Sequence, residues 1–186
     1  LVRSRGLGDV YKRQPSMKVI ADHGVQETPY THRRYQSINT EILGQIIKNA
    51  TGHSLAEYME EKLWKRIGAE QDAYWTLSNG TELAMGGLSV SLRDYARFAR
   101  LYLNGGSFRG EQILTKEWVR DSMDVSAAYS RPGANQDVYN AIGYGYQWWV
   151  PEGDRGEFMA IGVYGQWMYA DPSRKIIIVK TSADPD

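Results

Sequence analysis

Apolar residues recur at helical spacing over three stretches in the first two thirds of the chain and then give way to short β-branched and aromatic runs. From Thr40 to Ala50 the positions Ile42, Leu43, Ile46, Ile47 and Ala50 fall on one side of a helix, and Gly52 supplies its stop. Ser54 with Glu57 forms a capping box for a second helix, whose apolar face is Leu55, Tyr58, Met59, Leu63, Trp64 and Ile67, with Gly68 suited to the C-terminal cap. The two predict a helical hairpin. A loop-rich stretch over 69–89 follows, then a third helix capped by Ser91, in which Leu92, Tyr95, Phe98, Ala99 and Tyr102 recur until Gly105-Gly106. Thr115 caps a shorter fourth helix through Met123.

Residues 124–143 are polar and irregular, centred on Pro132-Gly133, and read as a surface insertion bordering a cleft. Beyond them, Tyr146 to Val150, Glu157 to Ile161, Gln166 to Ala170 and Lys175 to Thr181 read as consecutive antiparallel strands, separated by turns at Pro151-Glu152-Gly153 and Asp171-Pro172-Ser173. Ile176-Ile177-Ile178-Val179 is apolar on both faces, which predicts a central strand. Helices followed by an antiparallel C-terminal sheet give an α+β fold class. Residues 15–34 are polar, contain His23 and His32, and are broken by Gly24 and Pro29, so they read as loop.

Composition narrows the function classes. The 186 residues carry 22 Lys+Arg against 22 Asp+Glu, which removes the electrostatic footprint of a nucleic-acid or anionic-membrane binder. With 42% hydrophobic and 24% charged residues the chain is ordinary for a single globular domain. It has no cysteine, so disulfides, thiolate metal sites and a cysteine nucleophile are excluded, while the compartment stays open. His23, His32 and His53 lack metal-like pairing, and neither a metal nor an organic cofactor is expected. No apolar run is long enough to span a bilayer. No Gly-x-Ser-x-Gly elbow is present, which disfavours an α/β-hydrolase using His23 in a triad.

Several motifs, in order, carry a family resemblance. Tyr35-Gln36-Ser37 precedes Ile38 to Gly44; Thr51-Gly52-His53-Ser54-Leu55 runs to Leu63-Trp64; Gly86-Gly87-Leu88-Ser89 leads to Asp94 through Ala99; Tyr144 to Trp149 comes next; and Gly162-Val163-Tyr164-Gly165-Gln166 opens a strand-like run. Over roughly 30–184 this set resembles the serine hydrolases that include class C β-lactamases, D,D-peptidases, related esterases and aminohexanoate-dimer (nylon-oligomer) hydrolases, and it is nearest that last branch. The resemblance implies a β-lactamase/transpeptidase-like fold, and a small amide or ester substrate opened through an acyl-enzyme.

It also implies residue roles. A serine hydroxyl attacks only when a base takes its proton, and a tyrosine serves as that base only as phenolate, although its unperturbed pKa is about 10. Tyr35 would be this base, beside the lysine of a Ser-x-x-Lys pair. Ser37 would hydrogen-bond that lysine or the substrate. Gly162, Val163, Tyr164 and Gln166 would form the oxyanion and substrate-binding element, with the backbone N–H of Val163 as one oxyanion donor. Where the family has a cationic residue two positions before that glycine, this chain has Ala160, which removes a charge partner for a β-lactam carboxylate.

No serine from Ser4 to Ser182 has lysine three residues later, so the nucleophile pair is absent. Asp9 to Gln14 resembles the in-frame translation of a sequencing-library adaptor. The expectation is therefore a non-native tail over 1–14, followed by the C-terminal part of a single catalytic domain over 15–186, inert by itself and with an unpartnered sheet edge. Without chemistry, the clusters at Trp148-Trp149 and Trp167 to Tyr169 would serve a glycan- or peptidoglycan-binding module of the same fold. Bland roles compete at single residues: Ser37 or Asn39 as a helix cap, Tyr35 as a packed aromatic, Gly86-Gly87 as a plain turn.

Overall fold

The computed structural model describes residues 27–78, 80–134 and 140–184. The tail expected over 1–14 and His23 lie outside these residues. The described chain divides into two compact units, one of Tyr35–Lys65 with Gln71–Val90, the other of Glu27–Arg34, Arg66–Glu70 and 91–184.

In the first unit, α1 spans Ser37–Thr51 and ends at Gly52, whose N–H donates to the Lys48 carbonyl. Helix α2 (Leu55–Met59) begins with the expected reciprocal box: Ser54 accepts from the Glu57 N–H, and Glu57 accepts from the Ser54 N–H. It continues as a π-helical turn, Glu60–Trp64, in which the Lys65 N–H reaches the Glu60 carbonyl. The stretch expected as loop holds four short strands: β1 (Tyr74–Trp75) pairs with β4 (Leu88–Ser89), and β2 (Leu77–Ser78) with β3 (Thr81–Glu82). At two residues each, they are too short to leave a period in the sequence.

The face of α1 that turns inward is not the apolar one. Glu41 and Gly44 are buried, whereas Leu43, Ile46 and Ile47 are 45%, 54% and 37% exposed. Gly44 sits where a Cβ would come within 2.5 Å of the Ala84 Cβ. A closely approaching loop therefore claims the small-residue side of the helix, and its hydrocarbon flank is left uncovered among the described residues.

In the second unit, α3 (Leu92–Leu103) starts at Ser91, which accepts from the Asp94 N–H. A hairpin of β5 (Ser107–Phe108) and β6 (Glu111–Gln112) follows, and then α4 (Lys116–Ser122), capped by Thr115 as expected. Strands β7 (Ile142–Tyr144), β8 (Trp149–Pro151), β9 (Phe158–Gly162), β10 (Gln166–Asp171) and β11 (Ile176–Lys180) form one antiparallel sheet in the order β11-β10-β9-β8-β7. The first of the expected strand starts, Tyr146, is displaced at β8. Tyr146 and Gln147 form a tight turn, with Gln147 at φ 67° and the Gly145 N–H donating to the Trp148 carbonyl, so the strand begins at Trp149.

Helix α3 packs on β10 and β11. Ala99, Trp148, Phe158, Met168 and Ala170 form the centre of this layer, ringed by Phe98, Tyr102, Ile177 and Val179. Trp148 meets Phe158 edge-on at 4.9 Å and Tyr102 at 4.8 Å, and stacks on Phe98 at 5.9 Å. Each such side chain contributes about 1.5–3 kcal/mol by leaving water. Trp148 and Trp149, at 4% and 3% exposure, are core residues and give no stacking surface.

Strand β11 ends the sheet among the described residues. Ile177 and Val179 face α3, while Ile176 and Ile178 on the other side are 43% and 56% exposed. Two-sided apolarity thus marks a strand with one uncovered face.

Polar contacts fix the ends of the unit. Buried Asp94 accepts from Ser91 (2.7 Å), from the Glu70 N–H (2.9 Å) and from Arg97 (2.8 Å). At the opposite end of β9 from its hairpin turn, Glu157 accepts from the Tyr169 hydroxyl and is held by Arg155 at 2.9 and 2.5 Å. The tyrosine hydrogen bond and the guanidinium hold the Glu157 carboxyl below its ordinary value of 4.5.

Two outcomes follow. Lysine in place of Ile178 should shift the chain toward monomer in sedimentation velocity, because a charge on the uncovered face of an edge strand opposes pairing. Glu157→Gln should lower the melting temperature by a few degrees at pH 7. Since Glu157 has its pKa depressed by folding, its stabilisation is present above about pH 4.5 and lost as pH falls through the lower folded value, so the parent–variant gap should close below that pH in thermal scans.

Candidate active site

The Tyr35 element lies at the start of α1. Gln36 is the N-cap, with extended φ −142° and ψ 115° and no side-chain capping bond, so the helix begins at Ser37, three residues earlier than expected. Neither Ser37 nor Asn39 caps it. The Asn39 N–H donates to the Gln36 carbonyl at 3.0 Å, closing the first turn through the backbone. Tyr35 is 45% exposed and is not a packed core aromatic, and Ser37 is exposed as well.

The same unit holds a buried carboxylate that the sequence reasoning passed over. Glu41, 4% exposed, accepts from the Ala84 N–H at 2.9 Å and so ties α1 to the loop before Gly86-Gly87. Glu41, Gly44 and Lys48 share one helix face, and a glycine inside a helix was the available signal of close approach. Lys48 lies 3.9 Å from Glu82, which is itself 8% exposed. Gly87 has φ 75°, and a Cβ there would come within 2.7 Å of the Thr76 side chain, so its glycine is required by local packing.

In the second unit, β9 and β10 are joined by a turn whose ends are the pair Gly162 and Gln166. Gly162 itself is extended at φ −110°, ψ 162°, and the turn is made by Tyr164 (φ 61°, ψ 28°) and Gly165 (φ 72°), both left-handed. Gln166 donates from Nε2 to the Val163 carbonyl at 3.2 Å, bracing the turn. Val163 is 72% and Tyr164 50% exposed. A Cβ on Gly162 would stand 3.2 Å from the Gln166 Cβ, so a larger residue would press on the cross-strand side chain. The four residues Gly162, Val163, Tyr164 and Gln166 thus come together in one exposed hairpin.

Two neighbours of this hairpin were not singled out in the sequence. Lys180 Nζ and Ser182 Oγ lie 3.6 and 3.7 Å from where a Gly165 Cβ would stand. Ala160 packs against the α3 core layer, where a small apolar residue fits. Positive charge near the turn therefore comes from β11, because Lys180 opposes Trp167 in register. Among the described residues no group of three or more His, Asp or Glu side chains is placed to hold a metal, and no helix is long and apolar enough to cross a membrane.

The Beta-lactamase family model matches residues 3–186. The chain is 34% identical over 158 residues to the 6-aminohexanoate-dimer hydrolase of Paenarthrobacter ureafaciens, covering 82% of this chain and 40% of that protein. A solved structure from Bacillus anthracis, assigned provisionally as a 6-aminohexanoate-dimer hydrolase, matches with a TM-score of 0.75 at 38% identity, over 87% of this chain and 41% of its own. The structure of EstCE1, a hydrolase with promiscuous acyltransferase activity, shares the fold with a TM-score of 0.68 at 15% identity, over 86% of this chain and 53% of its own. The chain spans about two fifths of the length of the first two relatives. With the family model matching nearly its whole length, this chain belongs to the Beta-lactamase family.

Proposed function

We propose that residues 15–186 are the C-terminal part of the catalytic domain of a serine hydrolase that cleaves an amide or ester bond of a small substrate through an acyl-enzyme. Tyr35 is the general base, Ser37 binds the lysine partner or the substrate, and the hairpin of Gly162, Val163, Tyr164 and Gln166 receives the developing oxyanion and flanks the substrate. The serine and lysine come from further chain, since no serine here has lysine at the required spacing. The kinship with 6-aminohexanoate-dimer hydrolases favours an amide substrate.

The observation that carries this proposal is the accessibility of Tyr35, 45% exposed at the mouth of a helix whose first turn needs neither it nor Ser37 for capping. A phenol sealed in hydrocarbon has no route to a serine proton. The uncovered Leu43, Ile46 and Ile47 flank and the outer face of β11 add support, as surfaces of the kind a longer domain covers.

In the reaction the phenolate takes the serine proton as the oxygen attacks the carbonyl carbon, and the negative charge that gathers on the carbonyl oxygen is met by the Val163 N–H. One such donor is worth about 3 kcal/mol of barrier. The leaving amine or alcohol takes a proton on departure, and water then repeats the sequence on the acyl-enzyme. Lys180, beside the turn, offers a cation to an acidic substrate group without any help from position 160.

The purified 186-residue chain should give no turnover of an activated ester above the uncatalysed rate; turnover that Tyr35→Phe abolishes would contradict the dependence on an upstream nucleophile. In a longer protein that supplies the Ser-x-x-Lys pair, Tyr35→Phe should cut the acylation rate by at least about 100-fold while the melting temperature holds. Unchanged acylation kinetics would refute the assignment of the base, and complete inertness of the longer protein would favour a binding module.

A further inference from the structure

A cavity of about 250 Å³ lies beside the end of α4, and the residues lining it include Asp121, Asp124, Tyr129, Tyr144 and Tyr146. We propose that this cavity binds a small organic cation, a primary or quaternary ammonium. All of these residues belong to the second unit, and the proposal does not depend on the hydrolase assignment.

Three observations carry it. First, the lining pairs aromatic with acidic residues, the combination that attracts ammonium groups: ring quadrupoles favour a cation over the face, and carboxylates add Coulomb attraction. Second, the charge persists. Asp124 accepts from the Ser126 N–H at 2.9 Å, and its bonds to Ser126 hold its carboxyl below the usual range. Asp121 accepts from Arg120 through Nε and Nη2, each at 2.9 Å, so Asp124 carries the negative charge that the lining offers to a guest. Third, each ring packs against another aromatic side chain. Tyr146 leans on Trp118 at 5.5 Å, Tyr144 on Trp149 at 4.6 Å, and Tyr129 on Tyr30 at 6.0 Å. Rings held in place beforehand cost less to order on binding. The volume, below the usual range for drug-sized ligands of about 300–1,000 Å³, sets the guest as small.

The test is titration of the 186-residue chain with tetramethylammonium chloride, with sodium chloride holding ionic strength constant, followed by tyrosine and tryptophan fluorescence. A saturable change with a dissociation constant in the millimolar range is expected, and tert-butanol, a neutral probe of similar size, should give none. Asp124→Asn keeps the oxygen that accepts from Ser126 and should weaken binding about fivefold; Tyr146→Leu should do the same. Tyr74→Leu, an exposed tyrosine of the other unit, should leave it unchanged. A linear response that sodium chloride reproduces, an equal response to tert-butanol, or unchanged binding in both site variants with native circular dichroism would overturn the proposal.

Discussion

What holds the β9–β10 hairpin in place is the burial of aromatic side chains between α3 and the sheet. Trp148 from the segment leading into β8 meets Phe98 and Tyr102 from the helix and Phe158 from β9 at ring-centroid distances of 5.9, 4.8 and 4.9 Å, and Met168 and Ala170 on β10 complete the layer. Close packing of this kind tolerates little change of volume, so it fixes where β9 and β10 emerge from the core. The exposed turn carrying Gly162 to Gln166 inherits its position from that layer. At the far ends of the same strands, Glu157, Tyr169, Arg155 and Asp171 add directional contacts that hold the register.

The elements most legible in the sequence are those with chemistry at their ends. The Ser54–Glu57 box, the Ser91 and Thr115 caps and the Gly52 stop all sit where the residues place them, because a cap is a local hydrogen bond that needs no partner from elsewhere in the chain. Strand type was equally plain for β8 to β11, whereas β7 overlaps the stretch 124–143 that reads as irregular. Less legible were choices that depend on what comes alongside. Leu43, Ile46 and Ile47 predict an inward face for α1, but Gly44 and Glu41 turn inward because Ala84 approaches there. Ile176 to Val179 predicts a central strand for the same reason, since apolar content records which surfaces suit burial and not which are buried.

The candidate site was legible through motif order more than through any single residue. Tyr35 and the Gly162 to Gln166 run were identifiable because several weak patterns recur in sequence. Lys180 and Ser182 carry no such pattern and become visible only through the turn beside them. Glu41 likewise looks like an ordinary helix residue until the loop it holds is known. Side chains that act through a fold, and not through a signature, leave little mark in composition or spacing.

Tyr164 is a residue with a large side chain in a backbone region that costs L-amino acids roughly 1–2 kcal/mol. Glycine in its place would relax the turn at no steric expense, and the next position already uses one. Ease of folding and the presence of a phenol at the tip of this hairpin therefore pull in opposite directions. Attempts to harden the protein by idealising its turns would meet that conflict here first, gaining a firmer loop and surrendering whatever the ring contributes to the surface around it.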